Sequence, residues 1–286
     1  MLAKTALTVA LLLSIGSATV AQQKECGQRL RVPVEITNSI GMKLRLIPDG
    51  EFMMGSAKSP QEFVRRYDLS EANLKRFTRE HPQHKVRITR PFYLGVTEVT
   101  QGQWKSVMGT EPWSGEEGVK VGPVYAANYV DWEDATEFCK TLSAKEGETY
   151  RLPTEAEWEH ACRAGTSSLY PFGDDESQLW GYAEFYHEVD ERYSLRVGEK
   201  KPTPWGLKGM HGNVWEWCQD WYGEDYYSAS PESDPTGPTE GVTRVCRSGG
   251  WAYLSGSYRP AQRGDFEPDV RWGRTGFRVA RNLSSK

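Results

Sequence analysis

Five cysteines are the residues of this 286-residue sequence whose chemistry is most varied. Thiols can pair as disulfides, bind soft metals or act as nucleophiles. Their odd number leaves at least one without an intramolecular partner, and no two of them have Cys-x-x-Cys spacing. Structural zinc sites normally take closely spaced pairs, so this spacing argues against one. The five are Cys26, Cys139, Cys162, Cys218 and Cys246.

The histidines show no arrangement typical of catalysis. His81 and His84 follow Glu80 closely, but no third metal ligand is near in sequence, so we expect structural or surface roles for them. The other three histidines are scattered along the chain. The sequence also lacks the Gly-x-Ser-x-Gly elbow of common hydrolases and the Gly-Lys-Ser/Thr loop of nucleotide enzymes.

Composition sets the broad class of protein. The net charge is -4 and no long Lys/Arg run is present, so the chain lacks the basic stripe that nucleic acid requires. Hydrophobic residues make up 38%, with 11 Trp and 14 Tyr, which is enough for a substantial core. No repeat or linker divides the sequence, and 28 Gly and 16 Pro break it into short segments, which predicts one loop-rich domain.

The N-terminus has the pattern of a secretory signal. Lys4 precedes an apolar run over 6–15, and small residues follow over 16–21. We therefore expect a signal peptide over 1–21, cleavage after Ala21, and an exported protein that is periplasmic or secreted. The apolar run is too short to span a bilayer.

Local sequence patterns predict the strands and helices that would position reactive groups. Residues 42–52 alternate apolar and polar around a Pro-Asp-Gly turn at 48–50, which predicts a strand pair. The lead-in over 22–37 comes before it. Residues 59–80 are charged, with apolar residues at helical spacing, and predict a surface insertion.

Three helices have clear start signals. Thr100 and Gln103 fit a capping box, Asp131 is a good N-cap, and Thr154 with Glu157 forms a second box. The apolar faces of the second and third helices include Cys139 and Cys162, which are therefore expected in the core. Short aromatic segments follow, so the sequence predicts an irregular α+β domain.

Seven segments in order resemble the formylglycine-generating enzyme, or sulfatase-modifying factor, family. The resemblance covers 38–283 and implies a compact, loop-rich α+β fold similar to a C-type lectin domain. The segments are NSIGM (38–42), GEFMMGS (50–56), PFYLGVTEVT (91–100), RLPTEAEWE (151–159), PWGL (204–207), GNVWEW (212–217) and GFRVAR (276–281).

One family feature is missing. Formylglycine-generating oxidases of this family carry two cysteines just after the Gly-Gly of a late strand, where they bind copper(I). Here Gly249 and Gly250 are followed by no cysteine, and Cys246 lies before them. Serine or tyrosine cannot replace two soft thiolates, so copper is not expected and Cys246 is interpreted as a strand residue. An iron site of the sulfoxide-synthase kind is not expected either.

The resemblance also implies a calcium site in the GNVWEW loop, with Gly212, Val214 and Glu216 as ligands. Calcium prefers several oxygen ligands. An upstream position that often carries Asp or Asn is Gly209 here, which removes one oxygen. The alternative is that Glu216 belongs to a buried salt bridge.

By the same resemblance, the substrate groove falls on an aromatic and charged stretch late in the chain. Aromatic side chains with arginine are typical of peptide and protein recognition. The alternative for Arg263 is a structural ion pair with a nearby acid. The residues assigned to substrate binding are Trp251, Tyr253, Tyr258, Arg259 and Arg263.

Three functions remain open from sequence. The first is an exported family member that recognises a protein, peptide or small secreted substrate without the copper-cysteine site. The second is an oxidoreductase of the same family, generating formylglycine by an altered site or oxidising a siderophore chromophore. The third is a lectin-like binding or scaffold module. The sequence leaves the substrate, catalysis, cysteine pairing and oligomeric state open.

Overall fold

A computed structural model describes residues 19–183, 193–250, 256 and 258–284. Helix α1 covers 19–30 and packs onto the rest of the chain. The Gln23 amide donates to the carbonyls of Leu46 at 2.7 Å and Trp205 at 3.1 Å, and the Trp205 indole donates to the Thr19 carbonyl at 3.0 Å. Residues 1–18 of the expected signal peptide lie outside the described part, so its cleavage remains a prediction.

A five-stranded sheet joins the two ends of the domain. Its antiparallel order is β1 (Glu35–Thr37), β2 (Lys43–Ile47), β5 (Phe92–Gly95), β11 (Ala280–Asn282) and β6 (Tyr150–Arg151). Leu94 of β5 lies opposite Arg45 on one side and Ala280 on the other. The last strand is thus inserted between elements formed much earlier in the sequence.

A second sheet carries the late loops. Its order is β10 (Thr275–Gly276), β7 (Trp215–Trp221), β8 (Arg244–Arg247) and β9 (Gly264–Phe266), and β10 is parallel to β7. Together with the helices, these sheets confirm the predicted α+β class. Cys246 lies in β8, as its interpretation as a strand residue required.

The predicted strand pair over 42–52 is wrong in its pairing. Both strands form, but β2 belongs to the five-stranded sheet, whereas β3 (Gly50–Met54) pairs with β4 (His84–Ile88). A two-residue hairpin turn needs a positive φ at its first central residue, and Pro48 fixes φ near −65°. The chain therefore leaves the first sheet at Pro48 instead of folding back on it.

The principal helices begin where the sequence signals place them. Helix α4 (Gln101–Met108) has a capping box at Thr100, α5 (Trp132–Glu146) one at Asp131, and α6 (Glu155–Arg163) one at Thr154. The apolar face of α5 is buried, including Cys139, and Cys162 of α6 is fully enclosed. A short helix α7 covers Tyr226–Ala229. Among the described helices, none combines the length and apolar character needed to cross a membrane.

The segment 59–80 has a small core of its own. It forms α2 (Pro60–Arg66), a 3-10 turn at Glu71–Asn73 and α3 (Leu74–Thr78). Phe63 and Phe77 are fully buried with ring centroids 5.1 Å apart, and the Arg259 guanidinium lies 3.9 Å from the Phe63 ring. The helical spacing seen in the sequence is confirmed, and the insertion is fixed against the late part of the chain.

Candidate binding groove and the ion network beneath it

Helix α6 carries three charged side chains on one face. Glu155, Glu159 and Arg163 are spaced four residues apart, which places them one above another along the helix. All three are buried. Arg163 Nε donates to Glu159 Oε1 at 2.8 Å, and the other Glu159 oxygen accepts from Arg247 Nη2 at 2.9 Å.

Two arginines from the second sheet and its connections complete this arrangement. Arg263 Nε and Nη2 donate to the two oxygens of Glu155 at 2.7 and 2.8 Å, and Arg247 Nη2 lies 2.9 Å from Glu155 Oε1. Burial alone would raise the pKa of Glu155, but the charges of Arg263 and Arg247 outweigh it and hold that pKa below its ordinary value. We call Glu155, Glu159, Arg163, Arg247 and Arg263 the α6 ion network.

A separate ion pair fixes the insertion. Arg259 donates to both oxygens of Glu80 at 2.6 and 2.7 Å, and both side chains are buried. The backbone carbonyl of Tyr258, the preceding residue, lies 2.8 Å from His211 Nδ1. The end of the insertion is therefore joined to Arg259, and the neighbouring Tyr258 carbonyl contacts His211.

An open cavity of about 340 Å³ lies directly beside the α6 ion network, between α3 and β9. We call it the groove. Its aromatic side includes Phe266, whose ring centroid is 5.7 Å from that of Trp215 and 5.0 Å from that of Trp272. The residues that line it are Lys75, Arg76, Arg79, Trp215, Gln262, Arg263, Gly264, Asp265 and Phe266.

The predicted substrate-binding residues have different positions. Trp251 and Tyr253 lie outside the described residues. Tyr258 is fully buried, and Arg259 is buried in its pair with Glu80. Arg263 lines the groove, but its guanidinium is held by Glu155, which is the contact that the ion-pair alternative describes.

Glu216, the predicted calcium ligand, is buried and already compensated. Its oxygens accept from the Arg278 guanidinium in two bonds of 2.6 Å and from the Trp158 indole at 2.7 Å. The Gly212 carbonyl accepts from the Ser248 hydroxyl at 2.9 Å. The loop in this conformation does not offer Glu216 as a free ligand, and its contacts are those of the salt-bridge alternative.

Glu98 is the carboxylate near this loop that keeps an unused oxygen. One oxygen accepts from the Asn213 amide at 3.0 Å, and the other has no hydrogen-bond partner among the described residues. Burial and the nearby Glu216 raise the pKa of Glu98 to about 7, against the charge of Arg278. A Cβ at Gly209 would lie only 2.5–2.7 Å from the Glu98 carboxylate, so Glu98 occupies the space of the missing side chain at 209.

The thiols are distributed through the interior. Cys246 faces the core that contains Trp217, whereas Cys218 faces the opposite core with Cys162. This follows from the alternation of side chains in β7 and β8, since Trp217 lies opposite Cys246. All five cysteines are free and buried, and burial raises the pKa of Cys218 and Cys246 well above the ordinary value. Within the described ranges, no group of three His, Cys, Asp or Glu residues is placed to hold a metal ion.

Several residues of the site were not found from the sequence. Of the α6 acids, only Glu157 has a role that the sequence indicated, in the capping box. The interval of four between Glu155, Glu159 and Arg163 is a visible signal of one charged face. The α3 cations were assigned only to a charged insertion. Nothing in their local sequence indicates that they border the same cavity as Gln262, almost 190 positions later.

Comparison with known proteins identifies the family. Residues 36–283 match the model of the sulfatase-modifying factor enzyme 1-like domain. The match covers most of the chain, and the α+β fold described above extends over the same residues. The protein belongs to the sulfatase-modifying factor, or formylglycine-generating enzyme, family.

Individual relatives differ in how much of their length is shared. The chain is 30% identical to a formylglycine-generating enzyme of Streptomyces coelicolor, over 82% of this chain and 87% of that protein. It is 34% identical to the serine/threonine-protein kinase pkn1 of Chlamydia pneumoniae, over 84% of this chain but only 38% of that protein. The solved structure of PvdO from Pseudomonas aeruginosa superposes with a TM-score of 0.73 at 26% identity, covering 87% of this chain and 98% of that one.

Proposed function

We propose that this chain is an exported member of the family that recognises a protein or peptide substrate in the groove, without copper-cysteine oxidation. The observation that carries the proposal is the separation of thiols from the groove. Its described lining contains arginine, lysine and aromatic side chains but no cysteine, while the five thiols are buried elsewhere. Export rests on the signal pattern over residues 1–21.

The composition of the groove supports recognition. Aromatic and arginine side chains supply most of the binding energy at protein interfaces, and both line this cavity. Its walls are fixed by buried ion pairs, so little conformational freedom is lost when a substrate binds.

Formylglycine generation is the second candidate, because a relative of that name matches most of the chain. It would require an oxidising site other than a copper-bound cysteine pair after Gly250. A peptide carrying the sulfatase motif, incubated with the purified protein with and without copper, separates the two candidates. We expect no mass loss at the motif cysteine, and copper-dependent conversion would establish the oxidase instead.

Recognition itself is tested by panning a random peptide library on the protein. We expect selected peptides to lose binding to the Phe266→Ala variant, which shortens a half-buried side chain of the groove. Val242→Ala, at a position 79% exposed and outside the groove lining, is the matched control. Selected peptides that bind both variants as well as the native chain would contradict recognition in the groove.

A further inference from the structure

We infer that the groove binds an acidic peptide segment, with carboxylates on its α3 wall and a peptide N–H at Gln262. This inference rests on the proposed function and names the chemical class of its substrate.

The α3 wall of the groove is cationic. Lys75, Arg76 and Arg79 all border the cavity, and Asp265 is the acid in its described lining. Arg79 forms an ion pair with Asp265. Among the described residues, Lys75 pairs with Glu224 at 4.0 Å, and both of these side chains are well exposed. An exposed pair of that length contributes little, so Lys75 can exchange it for a carboxylate of a ligand.

The α6 ion network adds positive charge from below. Its three arginines face two glutamates, and Arg263 belongs to both the network and the groove lining. The nearby Asp220 accepts from the Glu155 backbone at 2.8 Å, and burial raises its pKa to about 8, which reduces its negative charge at neutral pH. Charges in and under a concave surface act together on a ligand, so the potential in the groove favours anions.

Gln262 supplies an independent indication of a ligand. Its side chain is 2% exposed, its Nε2 donates to the Arg263 carbonyl at 3.0 Å, and its Oε1 has no partner among the described residues. A buried acceptor left unpaired carries a desolvation cost that a donor from a ligand would remove. Sulfate and free carboxylates lack such a donor, whereas a peptide backbone has one at almost every residue.

The opposite side of the groove is aromatic. Phe266 packs edge-on against both Trp215 and Trp272, and Trp272 is 38% exposed. Apolar parts of a peptide can pack there while its acids reach α3. A volume of about 340 Å³ falls in the range of small-molecule sites, so it accommodates a few side chains and not a folded domain.

The same charges exclude other peptides. A lysine or arginine placed against Lys75, Arg76 or Arg79 meets like charge, which costs affinity and slows association. Acidic and basic peptides of equal length and aromatic content should therefore differ clearly in their affinity for the groove.

Fluorescence anisotropy with labelled peptides tests this. Three peptides share one tyrosine and differ only in flanking Asp/Glu, Ser/Gln or Lys/Arg residues. We expect the acidic peptide to bind at least about tenfold more tightly than the others at low salt, with affinity falling as salt is added. The Lys75→Glu/Arg76→Glu variant should lose this preference, and the milder Lys75→Gln/Arg76→Gln variant should show an intermediate loss. Lys145→Glu, an exposed lysine that does not line the groove, should behave as the native chain.

Each remaining outcome is decisive. If peptides of all charges bind equally and Phe266→Ala still weakens them, the acidic-peptide inference is overturned while recognition in the groove stands. If acidic peptides do not bind but inorganic phosphate or sulfate binds with the same dependence on Lys75 and Arg76, the groove is an anion site and the inference is wrong. If no peptide binds, both the inference and the proposed function fail.

Discussion

Arg263 and Glu155 form a bidentate ion pair in the interior, with both nitrogen–oxygen distances below 3 Å. The third nitrogen of Arg263 donates to the Arg79 carbonyl at 3.0 Å. One guanidinium therefore connects the start of α6, the end of the insertion and the edge of the second sheet. Because Arg263 also lines the groove, these contacts hold the α3 side of the groove in place.

Removing the Arg263 charge should destabilise the fold. In Arg263→Met, the buried Glu155 carboxylate loses both hydrogen bonds from the Arg263 guanidinium. Loss of one member of a buried ion pair typically costs about 3–5 kcal/mol of folding free energy. Urea unfolding followed by tryptophan fluorescence measures the difference. The control, Lys85→Ala, breaks the exposed pair with Glu51 and should change stability by less than about 1 kcal/mol. Equal effects of the two changes would contradict a structural role for Arg263.

Asp220 should make the protein less stable as pH rises. Burial, with the charge of Glu155, raises its pKa from 3.8 to about 8, so the folded state binds the extra proton between those values. The contribution of Asp220 to the free energy of unfolding is fully present below about pH 4 and is lost as the pH approaches 8. In Asp220→Asn the amide oxygen still accepts from the Glu155 N–H, and the decline over this window should become shallower. The comparison is urea midpoints between pH 5 and pH 8, with the exposed Asp225→Asn as control. Parallel curves for all three proteins would refute the assignment.

If the GNVWEW loop (212–217) binds calcium, Glu98 should be one of the ligands. Glu98 and Glu216 face one guanidinium, that of Arg278, and one Glu98 oxygen has no partner in the described structure. We expect calcium to raise the thermal midpoint of chelator-washed protein and Glu98→Gln to abolish that rise. Magnesium, which demands a tighter octahedral geometry, is the control ion. An unchanged midpoint with calcium would show that the salt bridge of Glu216 is the whole role of this loop.

In the folded protein, iodoacetamide should alkylate Cys26 faster than the other cysteines. Cys26, Cys139 and Cys246 belong to one hydrophobic core, but Cys26 also borders an open cavity with Arg29, whose Nη2 lies 3.7 Å from the sulfur. Burial raises the pKa of all three thiols. Peptide mapping after iodoacetamide treatment gives the order, and all five should react in denaturant. Modification of Cys246 as fast as Cys26 would show that β8 opens in the native state.

Local signals predicted much of the fold, and distant contacts did not follow from them. The capping boxes at Thr100 and Thr154 lie within four residues, so sequence alone located both helices. Partners far apart gave no such signal: Arg278 meets Glu216 across 62 positions, and Arg259 meets Glu80 across 179. The groove combines an insertion with late strands. The resemblance to the family pointed to Arg263 on its late side, and nothing in the sequence pointed to the insertion on the other.

The insertion over 59–80 has its own small hydrophobic cluster, separate from the two main cores, and it is secured by the Glu80–Arg259 pair. Residues on its outer surface can therefore change without disturbing how the two large sheets pack. A chain built in this way can acquire a new specificity by exchanging about twenty residues while its scaffold stays the same. The insertion is thus a modular element, and substituting it between family members is a direct route to redirecting what they bind.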